Sequence, residues 1–79
     1  MSNSNTLMLG LIGTTKNGTT KTEIHFARDQ KFLELHQETG YVMASLPVET
    51  AEQLAESDHR WKVALALYNL HVDTGKIIA

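Results

Sequence analysis

Four side chains in the middle of the chain combine acid–base and metal-ligating chemistry: Glu23, His25, Glu34 and His36. The strand register predicted below makes His25 the neighbour of Glu34, and Glu23 the neighbour of His36. Two imidazoles and two carboxylates in one patch form a legitimate set of metal ligands. Opposite-charge pairing between neighbouring strands is the simpler interpretation, because no HExxH or other spaced ligand motif accompanies the patch. We expect structural pairs here, with a small-ligand or metal patch as the alternative.

The rest of the sequence has no recognisable catalytic arrangement. No serine lies in a G-x-S-x-G sequence, and residues 13–20 lack the G-x-x-x-x-G-K-[ST] spacing of a phosphate loop. His59 and His71 have no recognisable nucleophile and orienting acid, and we expect them at the surface or in an interface. The absence of cysteine excludes thiolate zinc sites and cysteine nucleophiles. The sequence therefore predicts no catalytic residue, no cofactor and no enzymatic activity.

The elements that would position this patch are short strands. Four segments have the alternation and the flanking turn residues of strands: residues 6–15, 20–28, 31–37 and 41–46. Three two-residue turns would join them: Asn17-Gly18, Asp29-Gln30 and Thr39-Gly40. The first turn sets Leu11 opposite Ile24 and Leu9 opposite Phe26. The second sets Phe26 opposite Leu33. These turns predict a four-stranded antiparallel meander.

The register of this meander predicts one apolar face and one mixed face. Ten apolar side chains would share the core face: Leu7, Leu9, Leu11, Ile24, Phe26, Leu33, Leu35, Val42, Ala44 and Leu46. The mixed face would carry the remaining strand residues: Met8, Gly10, Ile12, Glu23, His25, Ala27, Phe32, Glu34, His36, Tyr41, Met43 and Ser45. Agreement of three turns on one apolar face favours this register.

The apolar periodicity of residues 48–74 predicts one long C-terminal helix that begins near Pro47 and packs on one face of the sheet. One broad stripe faces the core: Ala51, Leu54, Ala55, Trp61, Leu65, Tyr68 and Val72. Three further apolar residues fall on the opposite side: Val63, Leu67 and Leu70. A straight helix whose second face docks on another chain would explain them. The alternative is a break near Ser57 and Asp58, which are favourable N-cap residues.

The helix supplies the candidate interface. Trp61 and Tyr68 lie on the core stripe and pack there in the simpler interpretation. Five helical residues form the candidate partner or dimer interface: Trp61, Val63, Leu67, Tyr68 and Leu70. Gly75 suits the position after the helix, and the apolar tail of residues 76–79 could add to a sheet edge.

Length and composition narrow the class of protein. With 79 residues and a net charge of −2, the chain predicts one α+β domain over residues 6–79 after a disordered terminus, residues 1–5. The acidic balance argues against nucleic acid as a partner. With no signal peptide or membrane span predicted, we expect a cytoplasmic protein. We expect a homodimeric, non-enzymatic protein that inhibits or regulates a larger protein, as small phage or bacterial accessory and anti-defence factors do.

Overall fold

The alternating apolar pattern of the first half produces four strands that pair in chain order. The computed structural model describes residues 6–14, 21–37 and 41–78. It contains strands β1 (Thr6–Thr14), β2 (Lys21–Ala27), β3 (Phe32–Gln37) and β4 (Val42–Pro47) in one antiparallel sheet of order β1-β2-β3-β4. Helices α1 (Val48–Leu54) and α2 (His59–Asp73) follow. The predicted α+β meander is confirmed, whereas the predictions for residues 1–5 and for the turns at 17–18 and 39–40 lie outside the described residues.

Pairing of the two central strands has the predicted register. Phe26 lies opposite Leu33, and Ile24 lies opposite Leu35. The connection spans residues 28–31 instead of two residues, and it closes with a hydrogen bond from the Lys31 N–H to the Ala27 carbonyl at 2.7 Å. Because the loop is extended by one residue on each side, the register between β2 and β3 is unchanged. Lys31 has a φ of 57°, in the left-handed region that allows the chain to reverse.

The register of β1 changes twice along the strand. Thr14 lies opposite Lys21, as the predicted first turn requires, but Ile12 and Leu9 are each an extra residue without a partner on β2. Each bulge reverses the faces of the residues beyond it. Gly10 therefore lies opposite Ile24 on the core side, and Leu11 lies opposite Glu23 on the other side. The predicted placements of Leu11 in the core and of Gly10 and Ile12 on the mixed face are wrong.

A similar shift occurs in β4. Leu46 and Ala44 lie opposite Leu33 and Leu35, as predicted. The extra residue Met43 then brings Val42 opposite His36. The prediction of Val42 on the core face is therefore wrong.

The predicted single helix is two helices. Leu54 is the last residue of α1, and Asp58 caps α2 by accepting a hydrogen bond from the Arg60 N–H at 3.0 Å. The Ser57 and Asp58 N–H groups donate back to the Leu54 carbonyl, so the chain turns between the helices. The expectation of a straight helix is wrong, and the alternative, a break near Ser57 and Asp58, is what the sequence forms. Because of the break, the residues of α1 and α2 that face the core need not lie along one continuous helical stripe.

The core lies between the helices and one face of the sheet. Helix α1 packs against β3 and β4, while α2 packs against β1. Ten side chains form the buried cluster: Leu9, Ile24, Phe26, Leu33, Leu35, Ala51, Trp61, Ala64, Tyr68 and Ile77. The rings of Phe26 and Tyr68 meet with centroids 5.3 Å apart. Burial of this apolar surface is the main force that holds the two layers together.

The C-terminal end of α2 is closed by a glycine, as predicted. Gly75 has a φ of 83°, its N–H donates to the Val72 carbonyl, and the Lys76 N–H donates to the His71 carbonyl at 2.8 Å. This Schellman arrangement turns the chain back so that Ile77 enters the core. Residues 76–78 form no strand, so the predicted addition of the tail to a sheet edge does not occur within the chain itself.

Both edges of the sheet lack charged side chains. Strand β1, with the sequence TLMLGLIGT, and strand β4, with the sequence VMASLP, contain no Asp, Glu, Lys or Arg. The charged strand residues lie on the two central strands: Lys21, Glu23 and Glu34. Edge strands are commonly protected by charge, but here the edges are interrupted by bulges instead.

Candidate functional site

The sheet face turned away from the helices carries an ordered array of side chains, which we call the open face. Residues directly opposite each other in antiparallel strands share a face, so the register defines three rows on this face that each cross all four strands. One of them contains Thr6, Ala27, Phe32 and Pro47, and the other two contain the polar residues. The first of these two rows contains Leu11, Glu23, His36 and Val42. The second contains Met8, His25, Glu34 and Ser45. Among the residues that the structure describes, no helix packs on the eight side chains of these two rows.

The four polar residues at the centre of the open face are hydrogen-bonded along their strands. His25 Nε2 donates to Glu23 Oε1 at 3.1 Å, and His36 Nε2 donates to Glu34 Oε1 at 2.7 Å. The predicted neighbours across the strands are confirmed, but the hydrogen bonds join residues two apart on the same strand. Each imidazole therefore has one carboxylate beside it along the strand and another directly across.

The two imidazoles stack on each other over the sheet. The ring centroids of His25 and His36 are 4.0 Å apart, and the ring planes differ by 22°. The histidines thus occupy one diagonal of the central square, and Glu23 and Glu34 occupy the other. Stacking buries the flat sides of the rings. The Nδ1 atom of His25 is also buried, and within the described part of the chain it has no hydrogen-bond partner.

Glu23 has the strongest electrostatic support of the four. It accepts from His25, and its second oxygen lies 3.2 Å from the Lys21 Nζ. The hydrogen bond from His25, followed by the one from Lys21, lowers the pKa of the Glu23 carboxyl from its ordinary value. Glu23 is therefore a stable anion at the centre of the open face.

This arrangement favours hydrogen-bonded pairs over a metal centre. Both Nε2 atoms, which would be ligand atoms, already donate to carboxylates. In residues 6–14, 21–37 and 41–78, no three His, Asp or Glu side chains could hold a metal ion together. No pocket is found among these residues either.

Most of the predicted helical interface belongs to the core of the chain. Trp61 and Tyr68 are 2% and 9% exposed and belong to the buried cluster, which corrects their assignment to a partner surface. Val63 and Leu67, predicted to lie opposite the core, are half-buried and pack against that cluster. Leu70 alone of the five is exposed, at 54%. The helix break explains why these residues are buried. Because α2 is oriented independently of α1, Val63 and Leu67 as well as Trp61 and Tyr68 can pack against the core.

Sequence reasoning placed Met8 on this face correctly but missed Leu11 and Val42. Met8, Leu11 and Val42 are about half exposed. Leu11 and Val42 reach this face through the bulges. A signal for irregular pairing was present, because Gly10 and Gly13 lie inside a strand pattern, where glycine often marks a bulge or a close backbone approach.

A second missed signal is a repeated tripeptide. Strand β2 contains Glu-Ile-His and strand β3 contains Glu-Leu-His. Antiparallel pairing relates the two copies by a local twofold axis perpendicular to the sheet, since each Glu lies opposite the His of the other strand. The repeat produces the alternation of carboxylates and imidazoles at the centre of the open face.

Comparison of the chain with protein-family models, with curated proteins and with solved structures gives no significant match. In the described part of the chain, neither helix is long and apolar enough to cross a membrane.

Proposed function

We propose that this chain is a non-enzymatic protein-binding module that acts through its open face. The observation that carries the proposal is a sheet face left uncovered by both helices, with half-exposed Met8, Leu11 and Val42 around a hydrogen-bonded centre. A module of this kind acts by covering a surface of the protein that it binds, as inhibitors and regulators of larger proteins do.

The free energy of burying the exposed apolar side chains Met8, Leu11 and Val42 supports a protein partner. Full burial of a Val, Leu or Met side chain contributes about 1.5 to 3 kcal/mol. Since Met8, Leu11 and Val42 are about half exposed, covering what remains of each would contribute about 1 kcal/mol. Met8 and Leu11 lie on the β1 side of the polar centre and Val42 lies on its β4 side, so one continuous partner surface can bury all three together.

The shape of the open face supports the same conclusion. Small molecules bind in concave sites that enclose most of their surface. The open face instead extends across four strands, with its rows parallel to one another.

Two matched variants test the surface. Leu11→Glu places a charge on the open face, whereas Leu70→Glu places the same charge at an equally exposed site on α2. Tagged wild-type and variant chains would be incubated with lysate supplemented with untagged chain, and the bound proteins quantified by mass spectrometry. We expect the protein bound by the wild-type chain to be retained by Leu70→Glu and reduced at least tenfold by Leu11→Glu.

The opposite pattern would contradict the proposal. Loss of binding with Leu70→Glu alone would move the interface to the helix. Equal binding by all three chains would show that neither surface is the docking site. Circular dichroism of each variant is the control for folding.

A further inference from the structure

The centre of the open face is a checkerboard of carboxylates and imidazoles. Across each strand pair and along each strand, a Glu neighbours a His. Outside this square, each Glu–His row ends on apolar side chains or on Ser45, and no charged residue of β1 or β4 contributes to the array.

A second copy of the open face matches the first when it is turned over about an in-plane twofold axis through the centre of the square. With the axis parallel to the strands, Glu23 meets the partner's His36, and Leu11 meets the partner's Val42. With the axis across the strands, Glu23 meets the partner's His25. Both orientations set every carboxylate against an imidazole, because the checkerboard changes its residue type at each step.

We propose that the partner of the open face is a second copy of this chain, bound face to face in a twofold homodimer. The inference rests on the proposed function of the open face as a protein-binding surface. An unrelated partner would have to reproduce the alternation of carboxylates and imidazoles, whereas a second copy carries it already. A self-complementary patch that contacts itself is the defining property of a twofold interface.

The carboxylates retain capacity for these contacts. An ionised carboxylate can accept about four hydrogen bonds, and Glu34 accepts one from His36. The second oxygen of Glu23 is shared with Lys21. On the donor side, each imidazole already gives its Nε2–H to the carboxylate on its own strand, and the Nδ1 of His25 is buried. A contact between the copies would therefore share an Nε2–H between two carboxylates.

The area of the open face is compatible with a reversible dimer. Four strands about 4.8 Å apart and about six residues long cover roughly 19 by 20 Å in projection. Two apposed faces would then bury on the order of 1,000 Å² of accessible surface, at the low end of specific interfaces. We therefore expect dissociation within the concentration range of analytical ultracentrifugation.

A pair of charge-sorted variants tests the inference. One chain carries Glu23→Lys with Glu34→Lys, and the other carries His25→Glu with His36→Glu. The four central positions then carry either Lys and His only or Glu only, with Lys21 at the edge of the square in both variants, so each variant alone should sediment as the single chain of 8.8 kDa. A one-to-one mixture should restore a species of twice that mass, as should the wild-type chain. Each variant repels its own copy and attracts the other.

A matched control separates the open face from charge in general. Glu52→Lys with Glu56→Lys makes the same change at exposed positions on the helical side of the molecule, and this variant should retain the wild-type mass. Where a charge-sorted variant fails to fold, Leu11→Glu replaces it, because a half-exposed side chain tolerates the change. Leu11→Glu should weaken the dimer at least tenfold.

Three outcomes would overturn the inference: a wild-type chain of single mass at every concentration, charge-sorted variants that still dimerise alone, or a mixture that does not associate. A different result is a wild-type chain that is monomeric and binds another protein, with that binding abolished by Leu11→Glu. That result would reject a second copy as the partner and leave the proposed function standing. A chain that binds nothing through the open face would overturn both.

Discussion

At Gly10, helix α2 lies against the backbone of β1. A Cβ atom placed on this glycine would lie 2.8 Å from Leu67 Cδ1, whereas a Cβ on Gly13 would meet nothing within 4 Å. The absence of a side chain at Gly10 therefore lets Leu67 reach the sheet. Only the end of a flexible side chain stands in the way, so a modest shift could relieve the contact.

We expect Gly10→Ala to lower the free energy of unfolding by about 1 kcal/mol relative to Gly13→Ala, which corresponds to about 4 to 8 °C in Tm. The Gly13→Ala control shares the loss of unfolded-chain entropy that accompanies any Gly→Ala change. Thermal denaturation of both variants measures the difference. Adding Leu67→Ala to Gly10→Ala should cost less than the sum of the two single changes. Equal Tm values for the two glycine variants would contradict the close approach.

Membership of the polar cluster could be predicted from the sequence, but the partners within it could not. The register of β2 and β3 followed from one turn and placed His25 beside Glu34 correctly. Whether each imidazole donates across or along the strand depends on side-chain rotamers, and the stacking of His25 on His36 favours donation along the strand. A linear pattern contains no information about that choice.

At the scale of elements, Asp58 fixes the position at which α2 begins after α1 has ended. Its carboxylate accepts from the Arg60 N–H and also binds the Arg60 guanidinium at 2.9 Å. The guanidinium lowers the pKa of the Asp58 carboxyl. The same side chain therefore acts as an N-cap and as half of an ion pair.

Two substitutions separate these roles. Asp58→Ala removes both the cap and the ion pair, and we expect a fall of a few degrees in Tm. Asp58→Asn keeps a capping oxygen, so its Tm should stay closer to that of the wild-type chain. Thermal denaturation at neutral pH gives both values. An Asn variant as unstable as the Ala variant would assign the effect to the ion pair.

The lowered pKa of Asp58 also predicts how the Tm values of the wild-type chain and of Asp58→Asn depend on pH. A depressed folded-state pKa stabilises the chain fully above the pKa of an unfolded aspartate, about 4, and this stabilisation is lost as the pH falls through the lower folded value. The difference in Tm between the wild-type chain and Asp58→Asn should therefore narrow only below about pH 4.

The sheet shows the limit of sequence reasoning about elements. Each strand was found within one or two residues of its true ends, and the pairing nearest each turn was correct. The bulges at Leu9, Ile12 and Met43 then moved Leu11 and Val42 to the open face. Packing of Leu9 and Ile12 with the core favours these bulges, and such packing depends on α2, which is distant in the sequence.

At the scale of the whole molecule, self-association would make stability depend on concentration. For a folded dimer that unfolds to two chains, mass action raises Tm with total concentration. With the usual unfolding enthalpy per residue, a chain of 79 residues should gain about 4 to 5 °C for each tenfold increase in concentration, where the dimer is populated.

Calorimetry over a concentration series checks this expectation. Leu70→Glu should follow the wild-type slope, because Leu70 lies on α2 and outside the open face. At concentrations where the wild-type chain is dimeric and the weakened Leu11→Glu variant is not, the Tm of that variant should not change with concentration. A flat series for the wild-type chain would be inconsistent with a folded dimer.

The bulged, uncharged edge strands determine how far an assembly of this chain can grow. Sheets that join edge to edge always leave another edge free, so such assembly can continue into a fibre. The extra residues in β1 and β4 interrupt the ladder on both edges, and Pro47 lacks the N–H that a further strand would need at the end of β4. Face-to-face contact, by contrast, uses the sheet face on which neither α1 nor α2 packs. The proposed assembly is therefore closed at two chains.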